Sequence, residues 1–165
     1  MKTKQLFAIF IISIISLSLK AQDYSVKGQL NANIYANTQV PYTWMIYYVD
    51  VSYGIAKQLD WGLDFGTSSV GDYNTYLLAI VSRYYFTPLI IKNPQKIDLY
   101  LKAKFQYGMV FSKTTNYSDS GYEYGLYLGI RYMPLKRIGI MTEIGCVKGW
   151  NIEANVGLSF NLNKW

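Results

Sequence analysis

Apolar and polar residues alternate along most of the chain after residue 22. The alternation has a period of two, which places successive side chains on opposite faces of an extended strand. It occurs in eight segments, at residues 24–36, 43–55, 59–65, 76–86, 97–111, 122–132, 138–146 and 152–162. The sequence therefore predicts an all-β chain of eight strands.

One face of every segment is free of charge. The more apolar parity comprises 49 positions, and none of them is Asp, Glu, Lys or Arg. The polar exceptions are Thr43, Ser82 and Thr142. Because 16% of the chain is charged, about eight charges would fall on such a set by chance. This depletion indicates a surface that never meets water.

The opposite face decides between a soluble sheet and a membrane barrel. A soluble antiparallel sheet also alternates, but its outer face is dominated by solvated polar residues. Here that parity mixes glycines and charges with bulky tyrosines, namely Tyr35, Tyr48, Tyr85, Tyr100 and Tyr127. This mixture favours a narrow, side-chain-filled barrel interior with lipid outside. We predict an eight-stranded antiparallel up-and-down transmembrane β-barrel.

Charges inside such a barrel need partners, because removing an ion from water costs several kcal/mol unless it is paired and hydrogen-bonded. We assign five cations and six anions to the inward parity, a nearly balanced set that includes Glu153. We expect a structural ion-pair network in the interior. Its predicted members are Lys27, Asp50, Asp64, Arg83, Asp98, Lys102, Lys104, Glu123, Arg131 and Glu143.

The connections between segments form two sets. Residues 37–42, 66–75, 112–121 and 147–151 are rich in Ser, Thr, Asn and Gly, whereas Pro88, Pro94 and Pro134 fall in the intervening gaps. In an up-and-down barrel the first set forms extracellular loops and the second forms periplasmic turns. We expect the candidate loop contacts to be Asp72, Tyr73, Lys113, Tyr117 and Asp119.

The N-terminus has the pattern of an export signal. Lys2 and Lys4 precede an apolar run over residues 6–19, and Lys20-Ala21-Gln22 follow it. A membrane-spanning helix is the alternative, but it needs about 20 apolar residues, and the run has 14. We predict a cleavable signal peptide over residues 1–21 and a barrel domain over residues 22–165.

Composition excludes several kinds of site. The chain has no His, which removes imidazole bases and His-ligated metals. Its one cysteine, Cys146, excludes an internal disulfide and multi-cysteine metal sites. Half of the formal charge of +6 comes from three lysines in the first 22 residues, so the remainder is too weakly basic to predict nucleic-acid binding. We expect no cofactor and no metal.

Several short motifs resemble those of small outer-membrane β-barrel proteins. They are the run Tyr53–Asp64, the tetrads 83–86, 129–132 and 142–145, and the end 155–160. The resemblance is to the OmpX-like and OmpA-transmembrane-domain-like barrels of the porin family. It implies location in the outer membrane, contact with its lipid, and a monomer. It also implies that Trp165, although one position out of phase, signals to the barrel-assembly machinery.

Three functions remain open on the sequence. The first is a non-enzymatic structural or surface-interaction role exercised through the loops. The second is a narrow conduit for small hydrophobic compounds, lined by Ile46, Leu77 and Val81. The third is a lipid- or peptide-modifying enzyme, for which Glu123 and Asp50 are the candidate acid and base. The plugged interior favours the first.

Overall fold

The chain forms one closed sheet of eight strands. The computed structural model describes residues 25–40, 45–90, 96–115, 117–135, 137–148 and 151–163. The strands are β1 (Leu30–Val40), β2 (Met45–Ala56), β3 (Leu59–Val70), β4 (Tyr73–Tyr85), β5 (Ile97–Ser112), β6 (Ser118–Tyr132), β7 (Ile138–Val147) and β8 (Asn151–Asn161). The predicted eight-stranded antiparallel order is confirmed.

The barrel closes between its first and last strands. Ile34 of β1 stands opposite Val49 of β2 on one side and Leu158 of β8 on the other. Every strand therefore has two antiparallel neighbours, in the order of the sequence. This is the arrangement that hydrocarbon requires, because an unpaired strand edge there leaves backbone N–H and C=O groups without hydrogen bonds.

Exposed and buried residues alternate along the strands, with the apolar residues outside. In β3, Leu63 and Phe65 are 48% and 53% exposed, whereas the intervening Asp64 is fully buried. β7 follows the same rule over its whole length, from exposed Ile138 to buried Val147. The outside of the barrel is thus apolar and the inside polar, which suits a bilayer around the wall.

Four of the inward tyrosines stand directly opposite glycines. The register pairs Tyr35 with Gly157, Tyr48 with Gly66, Tyr100 with Gly129, and Tyr127 with Gly145. A Cβ added at any of these glycines would collide with the side chain of its tyrosine. The glycines thus leave the space in which the tyrosine side chains lie across the interior, and the barrel is filled by side chains.

The start of the first strand differs from the prediction. Residues 24–36 were expected to form one strand, but β1 begins at Leu30, after a turn in which Gly28 has a φ of +78°. Val26, expected on the lipid face, is buried against Tyr85 and Tyr100. Its amide donates to the Lys57 carbonyl. The segment before β1 therefore folds over the turn end of the barrel.

Strands extend into two predicted loops. Residues 66–75 continue β3 and β4 to a two-residue turn, Gly71-Asp72, where Gly71 has a φ of +54°. β3 consequently has 12 residues, not the seven expected. Within 112–121, β6 begins at Ser118. The polar side chains of these segments indicate exposure to water. They do not distinguish a loop from a strand that extends beyond the bilayer, because both are exposed to water.

The connection 87–96 contains a short helix, α1 (Thr87–Ile90). The hydroxyl of Thr87 accepts the Leu99 amide at 2.5 Å and anchors the helix to β5. Among the described residues, no helix has the length and apolar character of a membrane span. The predicted signal peptide and Trp165 lie outside the described residues and stay predictions.

A charge on the outer wall tests the lipid contact. Leu63→Arg places a cation on the outward face in the middle of β3, where it is expected to reduce the free energy of unfolding by about 2–4 kcal/mol. Equilibrium denaturation in phospholipid vesicles measures the loss. The matched variant Ile138→Arg, at the turn end of β7, should lose only about 0–1 kcal/mol because the interface is more polar. Equal losses would contradict the membrane position.

Candidate functional site

Arg83 organises the interior near the turn end. Its guanidinium lies 2.5 Å from a carboxylate oxygen of Asp50 and 3.5 Å from one of Asp60. All three side chains are buried, and Arg83 is 2% exposed. Asn33 donates to Asp50 at 2.7 Å, and Tyr85 donates to Asp60 at 2.7 Å. Arg83 on β4 therefore pairs with one carboxylate from β2 and one from β3.

Lys102 and Lys104 organise the middle of the interior. The Lys102 ammonium lies 3.1 Å from Glu143 and 3.8 Å from Asp64. Lys104 lies 3.2 Å from the same Asp64 oxygen. Both ammoniums also lie over tyrosine rings, Lys102 at 4.6 Å from the Tyr35 centroid and Lys104 at 3.7 Å from that of Tyr48. Ion pairs and cation–π contacts thus fix these lysines across the barrel.

Two carboxylates toward the loop end are held by uncharged donors. Glu153 accepts from Asn37 at 2.9 Å and from Tyr127 at 2.5 Å. Glu123 accepts from Gln106 at 2.6 Å. Within the described ranges, neither forms an ion pair with Lys or Arg. Their negative charge is therefore stabilised by hydrogen bonds from amides and a hydroxyl.

Asp98 and Arg131 form a separate pair near the turn end. The Arg131 guanidinium lies 2.7 Å from the Asp98 carboxylate. Its carbon also lies 5.4 Å from the centroid of the Tyr85 ring. This pair is more accessible than the others, since the Asp98 side chain is 13% exposed.

The expected charge balance is wrong. Lys27, predicted to belong to the network, lies exposed in the turn before β1. Asp60, which the prediction missed, is fully buried and faces Arg83. The sequence pattern could have identified Asp60 as an interior residue, because it lies on the inward parity of segment 59–65. Among the described residues, seven inward carboxylates accompany four cations. The carboxylates are Asp50, Asp60, Asp64, Asp98, Glu123, Glu143 and Glu153.

Uncharged donors accommodate the excess of carboxylates. Tyr35 donates to Asp64, and Glu143 accepts from Tyr100 at 2.9 Å and from Asn155 at 2.7 Å. Hydrogen bonds to a carboxylate are stronger than those between neutral groups. The inward tyrosines and asparagines therefore both fill the barrel and stabilise its buried charge.

The candidate acid–base pair is not brought together. Asp50 contacts Arg83 and Asn33, whereas Glu123 contacts Gln106. Within the described ranges, no group of three His, Cys, Asp or Glu side chains is placed to hold a metal ion. The contacts of Asp50 and Glu123 are those of structural ion pairs and hydrogen bonds.

The candidate lining of a hydrophobic conduit is part of the packing. Ile46 and Leu77 lie half-buried against the cluster formed by Tyr35, Tyr48 and Met141. The rings of Tyr35 and Tyr48 are stacked with centroids 5.0 Å apart. Val81 is fully buried. These apolar side chains contribute to filling the barrel.

The candidate loop contacts lie together on one rim. Lys113 donates from its ammonium to the Ser69 hydroxyl at 2.9 Å and to the Gly71 carbonyl at 3.0 Å. Its amide donates to the carbonyl of Asp72. Tyr117, through its carbonyl, accepts the Ser112 amide. Both Tyr73 and Tyr117 are about half exposed, at 49% and 53%. Asp119 is exposed near the start of β6.

Known proteins are similar to this chain in structure and not in sequence. No protein-family model matches the sequence, and no curated protein matches it. The N-terminal β-barrel domain of Pseudomonas aeruginosa OprF superposes with a TM-score of 0.67 and 11% identity, over 82% of this chain and 98% of that chain. The chain has the fold of the small outer-membrane β-barrels.

Two further structures show how widely this fold is used. A designed transmembrane β-barrel has a TM-score of 0.62 and 15% identity, over 82% of this chain and 97% of that chain. The outer membrane enzyme PagL has a TM-score of 0.50 and 13% identity, over 78% and 97% of the two chains. The predicted fold is confirmed. Because an enzyme and a designed protein share the fold, it assigns no activity by itself.

Removing the Arg83 cation tests the interior network. Arg83→Met leaves Asp50 and Asp60 buried without their cation, and we expect it to reduce the free energy of unfolding by about 3–5 kcal/mol. Equilibrium denaturation of the folded barrel measures this. Lys57→Met, in the exposed turn between β2 and β3, should change stability by no more than about 0.5 kcal/mol. A small effect of Arg83→Met would mean that the network does not stabilise the barrel.

Proposed function

We propose that this protein is a non-enzymatic, non-conducting outer-membrane scaffold that presents its loop-end rim for interactions at the cell surface. The observation that carries the proposal is the filled interior. Arg83, Lys102 and Lys104 are each at most 4% exposed, and their ion pairs cross the barrel between β2, β3, β4, β5 and β7.

The packing of rings supports a closed interior. Tyr35 and Tyr48 stack in the middle of the barrel, and Tyr85 and Tyr100 contact each other with centroids 5.4 Å apart. Val26 packs against the second pair from the turn end. Eight strands enclose a space just wide enough for such side chains, which supports an interior without a continuous aqueous route for ions.

The shape of the loop end supports a surface role. β5 and β6 have 16 and 15 residues, whereas β7 has 10 and, among the described residues, is paired with β6 from Gly125 onward. The first residues of β6 thus extend beyond β7 as part of a two-stranded hairpin with β5. This hairpin carries the exposed side chains of Tyr117 and Asp119.

The chemistry available in the described residues also supports a role without catalysis. The chain has no His, and the buried carboxylates are held by Arg, Lys, Tyr and Asn. PagL shares the fold, but a shared fold is independent of the catalytic groups built on it. Assays of lipid deacylation by the purified barrel are expected to show no turnover.

Single-channel recording tests the closed interior. The purified protein in a planar bilayer is expected to produce no stable conductance steps, because the buried network occupies the lumen. The double variant Tyr35→Ala, Tyr48→Ala removes the stacked rings and should raise ion flux while keeping the heat-dependent gel mobility of a folded barrel. Stable steps from the unmodified protein would contradict the proposal and favour the conduit.

Tag accessibility tests which rim faces outward. A peptide tag inserted between Thr114 and Thr115 should be bound by antibody on intact cells, because it lies at the tip of the β5–β6 hairpin. The same tag between Lys57 and Gln58 should be bound only after the outer membrane is permeabilised. The reverse pattern would place the hairpin in the periplasm and exclude its surface role.

A further inference from the structure

The outer wall of the barrel contains an apolar groove across β2, β3 and β4. It has a volume of about 490 Å³ and is lined by residues that include Tyr47, Val49, Phe65, Thr67, Tyr76 and Leu78. In the register, Thr67 stands between Tyr47 and Tyr76. The small threonine leaves a low path between two tall aromatic side chains, which are 59% and 48% exposed.

A cation lies at the end of the groove nearest the loops. Ser69 is on the same outward face of β3 as Thr67, two residues and about 7 Å farther along the strand. The Lys113 ammonium donates to the Ser69 hydroxyl at 2.9 Å and to the Gly71 carbonyl at 3.0 Å. An ammonium has three donors, so one is left for a group above the groove.

The groove and the cation together suit an amphiphilic ligand, with its apolar part in the groove and its anionic part at the cation. The groove lies on the apolar outer wall, so acyl chains are its neighbours in a bilayer. Apolar side chains line most of it, and the ammonium of Lys113 lies beyond its loop end. We infer that this groove is a lipid-binding site, which holds one acyl chain of an anionic phospholipid while Lys113 binds its phosphate.

The charge of Asp72 lies near the proposed phosphate position. It lies in the exposed turn beside Gly71 and contacts the Lys113 amide through its carbonyl. Its carboxylate opposes the approach of a phosphate. Removal of this charge in Asp72→Asn is therefore expected to strengthen lipid retention, opposite in sign to the loss of the Lys113 charge.

Native mass spectrometry of the full-length barrel tests the site. The probes are dioleoyl phosphatidylglycerol, which is anionic, and dioleoyl phosphatidylcholine, which is zwitterionic, supplied together in mixed micelles. The unmodified protein is expected to retain a single phosphatidylglycerol in preference to phosphatidylcholine. Thr67→Trp fills the low path and should abolish retention of both lipids. Lys113→Gln should lower phosphatidylglycerol retention by about two- to fivefold and phosphatidylcholine retention less, because the choline cation already offsets the charge of that phosphate.

Two matched variants separate the site from general effects. Thr142→Trp makes the same substitution on the outward face of β7, and Lys148→Gln removes an exposed lysine after β7 at the loop end. Both should retain lipid as the unmodified protein does, and heat-dependent gel mobility verifies that every variant is folded. Equal retention of the two lipids by the unmodified protein, or equal effects of Thr67→Trp and Thr142→Trp, would overturn the inference.

The test is independent of conductance. The groove lies on the outer wall, so a conducting barrel would contradict the proposed closed interior and leave lipid retention unchanged. Conversely, a barrel that retains no lipid would overturn the inferred lipid site and leave the absence of conductance unaffected.

Discussion

The pairing of every backbone amide and carbonyl is the constraint on which this structure depends. Hydrocarbon supplies no hydrogen bonds, so a sheet that crosses it must close. The pairing of β1 with β8 provides that closure. Once the sheet is a cylinder, the two faces of each strand have different surroundings, lipid outside and the barrel interior inside. The outer face meets acyl chains and excludes charge, and every charge in the spanning part must then lie inside.

The interior of so narrow a cylinder imposes a second constraint. Its charged groups are largely out of water, and a surplus of carboxylates cannot be left to solvent. The chain resolves this with tyrosines, which have enough volume to fill the lumen and a hydroxyl to donate at the far end. Tyr127 reaches Glu153 in this way, across the space left by Gly145. Filling and charge stabilisation are therefore one structural solution, which is why a polar interior here need not be a channel.

The sequence predicted those features that depend on local alternation. The number of strands, their order and the direction of nearly every side chain follow from a period of two, because a strand places its own residues on alternate faces. The positions of Lys27 and Val26 did not follow, because the positive φ of Gly28 reverses the chain before β1. Nor did the pairing of each carboxylate, since Arg83 and Asp60 belong to different strands. Polar residues such as Ser68 and Ser69 resemble a loop in sequence, although the register places them in paired strand.

The unequal strand lengths follow from the same backbone constraint. Residues at the start of β6 pair with β5, but β7 ends at Val147, opposite Gly125. Among the described residues, the β6 edge that faces β7 has no ladder partner from Ser118 to Glu123. Such an edge is tolerated only where water satisfies its amides and carbonyls. We therefore expect this stretch to lie outside the hydrocarbon, at the end of the barrel that carries Lys113.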